Sequence, residues 1–111
     1  MITRLYTGPD NQSHLEDLDL PPPGVDTTEP QQVTGITFRR IDPGTSRSWH
    51  NAPFRHYHIT LEGEFEIGLG DGTLRRFGPG DTLLAEDLTG QGHTTRILGD
   101  IPRVTATVPL A

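Results

Sequence analysis

The sequence predicts an all-β fold, a sandwich or a closed barrel, on three observations. Thirteen Gly and ten Pro in 111 residues interrupt the chain too often for long helices and favour short strands joined by turns. Between the interruptions the residues alternate apolar and polar with a period of two, most cleanly in Phe65-Glu66-Ile67-Gly68-Leu69. About nine such stretches recur at roughly eight-residue spacing, the rhythm of a β sandwich or barrel.

Ile2 to Thr7 alternates as a short strand, and Gly8-Pro9-Asp10-Asn11 ends it with turn chemistry. His14 to Leu20 is too short for a helix before Pro21-Pro22-Pro23-Gly24, and the polar, proline-rich run to Gln32 reads as an extended surface loop. Residues 1–32 are therefore expected as an N-terminal strand and arm, and residues 33–111 as the barrel. The arm's expected place is along a neighbouring subunit, where it pairs an open strand edge, or else free as a loosely packed tail. Val33 to Ile41, with Ile36 and Phe38 on one face, closes at Asp42-Pro43-Gly44. Ser46 to His50 and Phe54 to Glu62 are separated at Ala52-Pro53, since proline cannot donate to a central ladder. After the Gly63 reversal come Phe65 to Leu69, the Asp71-Gly72 hairpin turn, Thr73 to Phe77, and Thr82 to Ala85. His93 to Leu98 and Arg103 to Leu110 complete the set, the last with Val104, Ala106 and Val108 expected on the buried face.

The chemistry concentrates in Gly44 to Gly63, which holds three of the five histidines. In an extended strand Arg55, Tyr57, Ile59 and Leu61 share one face, and His56, His58, Thr60 and Glu62 the other. His50 lies just upstream, and His93 follows a glycine-bearing loop that lets a later strand bring it alongside. Such convergence is how a metal site is assembled in an all-β protein. Trp49 should point away from His50, into the core or a dimer interface. Glu86 ends an apolar strand on the face of Thr82 and Leu84, before that loop, and is a candidate proton-transfer group or a cap for backbone N–H groups. Arg55 and Arg96 are candidate anchors for a substrate carboxylate, with surface ion pairing as their commoner fate. His14, Glu62 and Glu64 read as solvated.

Composition excludes several classes. A net charge of −6 with no basic run argues against nucleic acid. No apolar stretch approaches the ~20 residues that cross a bilayer, and the first residues lack a signal-peptide apolar region, so a cytoplasmic protein is expected. With no cysteine there is neither a disulfide framework nor a thiolate metal site. The glycine-rich segments are turns and precede no helix, so a phosphate loop is not expected.

These residues resemble the small single-domain cupins. The first cupin motif places Gly, His, His, Glu and Gly at spacings that Gly44, His50, Ala52, His56 and Gly63 reproduce, with Ala52 in place of the second His and His56 in place of the Glu. In the second motif Gly80 with Asp81 opens the pattern, Glu86 takes the Pro position, His93 arrives two residues late, and Ile97 stands where Asn is expected. The text FGPGDTLLAEDLTGQGH also looks like a bacterial subgroup of cupins of unassigned function. The resemblance covers roughly Val33 to Leu110 and implies a jelly-roll barrel with one divalent metal in its lumen. The surviving ligand positions are His50, His56 and His93; His58, on the same face as His56, is either the replacement ligand or an acid or base beside the metal. Imidazole ligands suit Fe(II), Zn, Ni or Cu, with Mn possible.

The expectation is a metal-dependent enzyme, a homodimer, acting on a small, polar, oxygen-rich molecule. It would work by dioxygen chemistry or, as an isomerase or lyase, by metal-assisted proton transfer with His58 or Glu86 moving the proton. The alternative is a metal-free cupin that binds or senses a small ligand. A structural oligomerisation unit would leave the histidines unexplained.

Overall fold

Strands form wherever the alternating stretches predict them, and once more besides. The computed structural model describes residues 1–111. Its elements are β1 (Ile2–Thr7), β2 (Ser13–Leu18), β3 (Thr37–Ile41), β4 (Ser46–His50), β5 (His56–Glu62), β6 (Glu64–Gly68), β7 (Leu74–Phe77), β8 (Thr82–Glu86), β9 (His93–Leu98) and β10 (Arg103–Pro109). They make a six-stranded sheet in the order β2-β1-β8-β5-β10-β3 and a four-stranded sheet in the order β4-β9-β6-β7. Every pair is antiparallel except β1 with β8. The result is the expected all-β jelly-roll barrel. No helix is long and apolar enough to cross a membrane.

The apolar core is a cluster of Leu5, Phe65, Ile67, Leu69, Phe77, Leu83 and Ile97. Phe65 stacks on Phe77 with ring centroids 5.0 Å apart. Phe65, Ile67, Leu83 and Ile97 also form the apolar wall of a lumen between the sheets, so the core ends where the cavity begins.

Three expectations are corrected. The first concerns the N-terminal arm, which folds onto its own barrel. β1 lies parallel to β8, with Ile2 opposite Thr82 and Leu5 opposite Ala85, and β2 covers the other edge of β1. β2 is the unexpected strand: its acidic residues disguise an alternation that buries Ser13 and half-buries Leu15. The proline-rich segment is held against β5 and the C-terminal strand by Tyr57 Oη donating to Gln31 Oε1 (2.7 Å) and Thr34 N–H donating to the Pro109 carbonyl (3.0 Å). The arm is thus not a loose tail, and β2 becomes the open edge strand of the six-stranded sheet.

The second correction is the facing of β10. Arg103, Thr105 and Thr107 are the lumen-facing residues, 3%, 0% and 9% exposed; of the three expected on the buried face Ala106 is buried, while Val104 and Val108 are only partly covered. The interior here is a polar lumen, so the rule that apolar residues point inward is reversed. The third concerns Trp49, which is 46% exposed rather than core, its other expected place being a dimer interface. Ile36 and Phe38, expected on one face, are both exposed, just before and within edge strand β3.

Candidate functional site: a histidine- and arginine-lined lumen

The lumen encloses about 330 Å³, at the small end of ligand pockets. His50, His56, His58 and His93 all line it, as the sequence leads one to expect. They arrive as two pairs from opposite sheets. His50 on β4 is the cross-strand partner of His93 on β9, after a register irregularity between Arg47 and His50, and their ring centroids are 4.3 Å apart. His56 and His58, two residues apart on β5, are also 4.3 Å apart.

Three of the rings are anchored at the same nitrogen. His50 Nδ1 donates to the Ser48 carbonyl (2.7 Å) and His56 Nδ1 to the Phe54 carbonyl (2.6 Å). A carbonyl oxygen only accepts, so Nδ1 carries the proton and Nε2 is left with a free lone pair. His93 Nδ1 donates to Asp87 Oδ2 (2.5 Å). Asp87 is wholly buried, and it also accepts from Ser13 Oγ (2.7 Å) and from Ala52 N–H (3.3 Å). Ala52, in the position of a missing ligand, thus contributes its backbone to holding a carboxylate. Ser13 belongs to the N-terminal hairpin, which therefore supports the site.

Asp87 was not among the sequence candidates; its neighbour Glu86 was. A shift of one residue in a strand reverses the face. Leu83 and Ala85 line the lumen, so Glu86 points outward, where it accepts from Arg4 Nε (2.5 Å) and Arg55 Nε (2.7 Å). Burial pushes its carboxyl up, but the two guanidinium groups outweigh that and hold it below the usual carboxylate range. The structure therefore does not bring Glu86 to the histidines, and a carboxylate so paired is a poor proton donor. Arg55 is spent on Glu86, and Arg96 pairs with Glu66 at 3.3 Å, so neither reaches the lumen.

Burial lowers the pKa of His50 and His56. His58 is pushed down to about 3, by burial first and then by His56, Arg103 and Arg39. A ring that weakly basic is unsuited to the acid or base role expected of it. It accepts or donates a hydrogen bond with Thr107 Oγ1 at 3.3 Å instead.

The donor chemistry of three free imidazole Nε2 atoms suits a transition metal. As placed, no three of the His, Asp and Glu side chains already form one ion-binding group; His50, His56 and His93 are the residues whose chemistry would hold an ion here.

The loop after Asp87 is pinned where it meets β4. Asn51 Nδ2 donates to the carbonyls of Thr89 (2.9 Å) and Gly90 (3.2 Å). Gly92 has φ of 77°, and a Cβ there would overlap the His50 carbonyl oxygen. Gly92→Ala should therefore cost about 2 kcal/mol from the left-handed backbone conformation. It should also part His50 from His93. Denaturant melts and the histidine ring proton shifts in NMR check both effects; unchanged ring shifts would count against this placement of the loop.

No known family profile matches the sequence, and no curated protein matches it. Solved structures do. A cupin 2 conserved barrel domain protein from Salinispora arenicola aligns at 21% identity with a TM-score of 0.54, covering 68% of this chain and 61% of that one. The match therefore spans less than two thirds of that protein. A cupin domain from Bordetella pertussis aligns at 16% identity with a TM-score of 0.53, over 76% of this chain and 86% of that one. The polyketide cyclase RemF from Streptomyces resistomycificus aligns at 18% identity with a TM-score of 0.57, over 97% of this chain and 73% of that one. At these identities the likeness is one of architecture, and it agrees with the motif spacing around Gly44 to Gly63: this chain has the cupin fold.

Proposed function

We propose that the lumen is the catalytic site of an enzyme that moves a proton on a small, polar, oxygen-containing molecule, with His93 as the base. The observation that carries this reading is the His93–Asp87 pair. A fully buried carboxylate holds Nδ1, which leaves Nε2 to take a proton from a molecule in the lumen, while Asp87 steadies the imidazolium that forms. His50 and His56, neutral and anchored at Nδ1, are placed to hydrogen-bond the oxygen of a carbonyl only if their tautomers invert. As they stand they accept from a hydroxyl or an enol. The polyketide cyclase of similar fold supports catalytic use of such a lumen at the level of architecture alone.

A second reading is a divalent metal held by His50, His56 and His93. What favours it is the shared Nδ1 anchoring, the arrangement that orients metal-ligating imidazoles; the separation of the rings into two pairs weighs against it. A homodimer is supported by the apolar side chains left open beside edge strand β3, Ile36 and Phe38.

The test is solvent deuterium exchange into a panel of 1,3-dicarbonyl compounds and β-keto acids, followed by NMR in D2O. Protein purified without a histidine tag should catalyse exchange, and His93→Gln should lose it by about 10²-fold or more. Exchange at the wild-type rate in His93→Gln would overturn the proposal. Stoichiometric metal in the untagged protein, with activity that chelation removes, would replace the first reading with the second.

A further inference from the structure

Every basic residue of this chain other than histidine is an arginine, nine in all. Five of them, Arg4, Arg55, Arg75, Arg76 and Arg96, sit in ion pairs with carboxylates on the outside of the barrel. Of the four that do not, Arg39, Arg47 and Arg103 line the lumen. The chain carries fifteen acidic residues and a net charge of −6, yet no Asp or Glu is among the lumen-lining residues. An acidic protein has thus gathered arginines around its lumen, Arg103 buried within it and Arg39 and Arg47 exposed along its lining, with no carboxylate among the lining residues.

Arg103 is the extreme case. It is 3% exposed, and buried guanidinium groups ordinarily face a carboxylate, because an unpaired charge away from water is costly. Its partners are instead two hydroxyls, Thr60 Oγ1 at 3.2 Å and Thr105 Oγ1 at 3.3 Å, and the face of Phe65, whose ring centroid lies 3.7 Å from Cζ. Its Nε has no hydrogen-bond partner. Arg39, opposite Thr105 on the adjoining strand, adds a second cation close enough to depress the Arg103 pKa further than burial alone does.

We propose that the lumen takes a small organic acid, whose carboxylate is bound by Arg103 with Arg39 and whose carbon skeleton lies against Phe65, Ile67, Leu83 and Ile97. A guanidinium fork matches a planar carboxylate. The apolar wall suits a carbon body rather than an inorganic anion, and the fold has no helix N-terminus to cradle a phosphate. This assignment rests on the lumen being the ligand site of the preceding section and names the class of molecule it accepts.

Calorimetric titration of the full chain with benzoate and with its neutral analogue benzamide tests it. Benzoate should bind, with benzamide about tenfold weaker or worse, the weight of one charge-assisted hydrogen bond. Arg103→Gln should weaken benzoate by about tenfold or more and Arg39→Gln by about threefold. Arg40→Gln, which removes the same charge one residue away and outside the lumen, should leave benzoate affinity unchanged. Should Arg103→Gln fail to fold, the comparison of Arg39→Gln with Arg40→Gln still decides. Benzamide binding as tightly as benzoate, or equal losses in Arg39→Gln and Arg40→Gln, would overturn the assignment. Because the readout is binding, an absence of proton exchange with benzoate binding intact would sink the catalytic reading and leave the acid site standing.

Discussion

Asp87→Ala is expected to lose about 3–5 kcal/mol of stability, and Asp87→Asn to keep the fold while losing about 10²–10⁴-fold in proton exchange. The two outcomes differ because the carboxylate has two duties. It closes three hydrogen bonds from elements far apart in sequence: Ser13 Oγ on the N-terminal hairpin, Ala52 N–H before β5, and His93 Nδ1 on β9. With alanine in its place the Ala52 N–H keeps the backbone carbonyl of residue 87 (3.2 Å), but Ser13 Oγ and His93 Nδ1 lose their acceptor where Asp87 is 0% exposed, and an unsatisfied buried donor costs about 1–3 kcal/mol. Asparagine keeps the volume and one acceptor oxygen but puts an NH2 group where His93 or Ser13 needs to donate. If His93 turns its protonated nitrogen to Nε2, that atom can no longer accept a proton. The discriminating measurement is the tautomer of His93 by nitrogen NMR, read beside the exchange rate: Nδ1–H in the wild type and Nε2–H in Asp87→Asn. A variant with the wild-type tautomer and wild-type exchange would show that Asp87 only supports the fold.

The architecture was legible because it depends on spacing. Gly44 to Gly63 and the turns at Asp42-Pro43-Gly44 and Asp71-Gly72 sit where strands must reverse, and those reversals appear as expected. Convergence of the four histidines was legible too, since strand alternation places His56 and His58 on one face and pairing brings His93 opposite His50. The misreading of β10 has a physical cause. Reading which face is inward assumed an apolar interior, whereas this barrel turns Arg103, Thr105 and Thr107 into its lumen and leaves Val104 and Val108 only partly covered. Glu86 stands out at the end of an apolar strand, whereas Asp87, one residue on in the loop, carries no signal of its own, although it is the wholly buried carboxylate that meets a histidine. Ser13 belonged to a segment whose acidic residues hid a strand, so its link to Asp87 had no local signal at all.

His58 should make the fold acid-sensitive, by about 4–5 kcal/mol in total between pH 6.5 and 3, and about 2 kcal/mol between pH 7.5 and 5.0. Its folded pKa is about 3, set by burial and then by the neighbouring His56, Arg103 and Arg39, against 6.5 in an unfolded chain. Within that window the unfolded chain binds a proton that the native ring refuses, so stability rises with pH. It is complete above about 6.5 and is lost as pH falls toward 3. His50 and His56, also depressed by burial, act with the same sign. The depressed carboxyls of Asp10, Asp17, Asp71 and Glu86 do so as well, but only nearer their own lower range, which separates them from the histidines at pH 5. Urea denaturation of wild type and His58→Gln at pH 7.5 and 5.0 isolates the term: the wild type should lose about 2 kcal/mol more than the variant over that interval. Equal losses would mean that His58 can take up a proton in the folded barrel, and hence that a counter-charge or water reaches a ring standing among arginines.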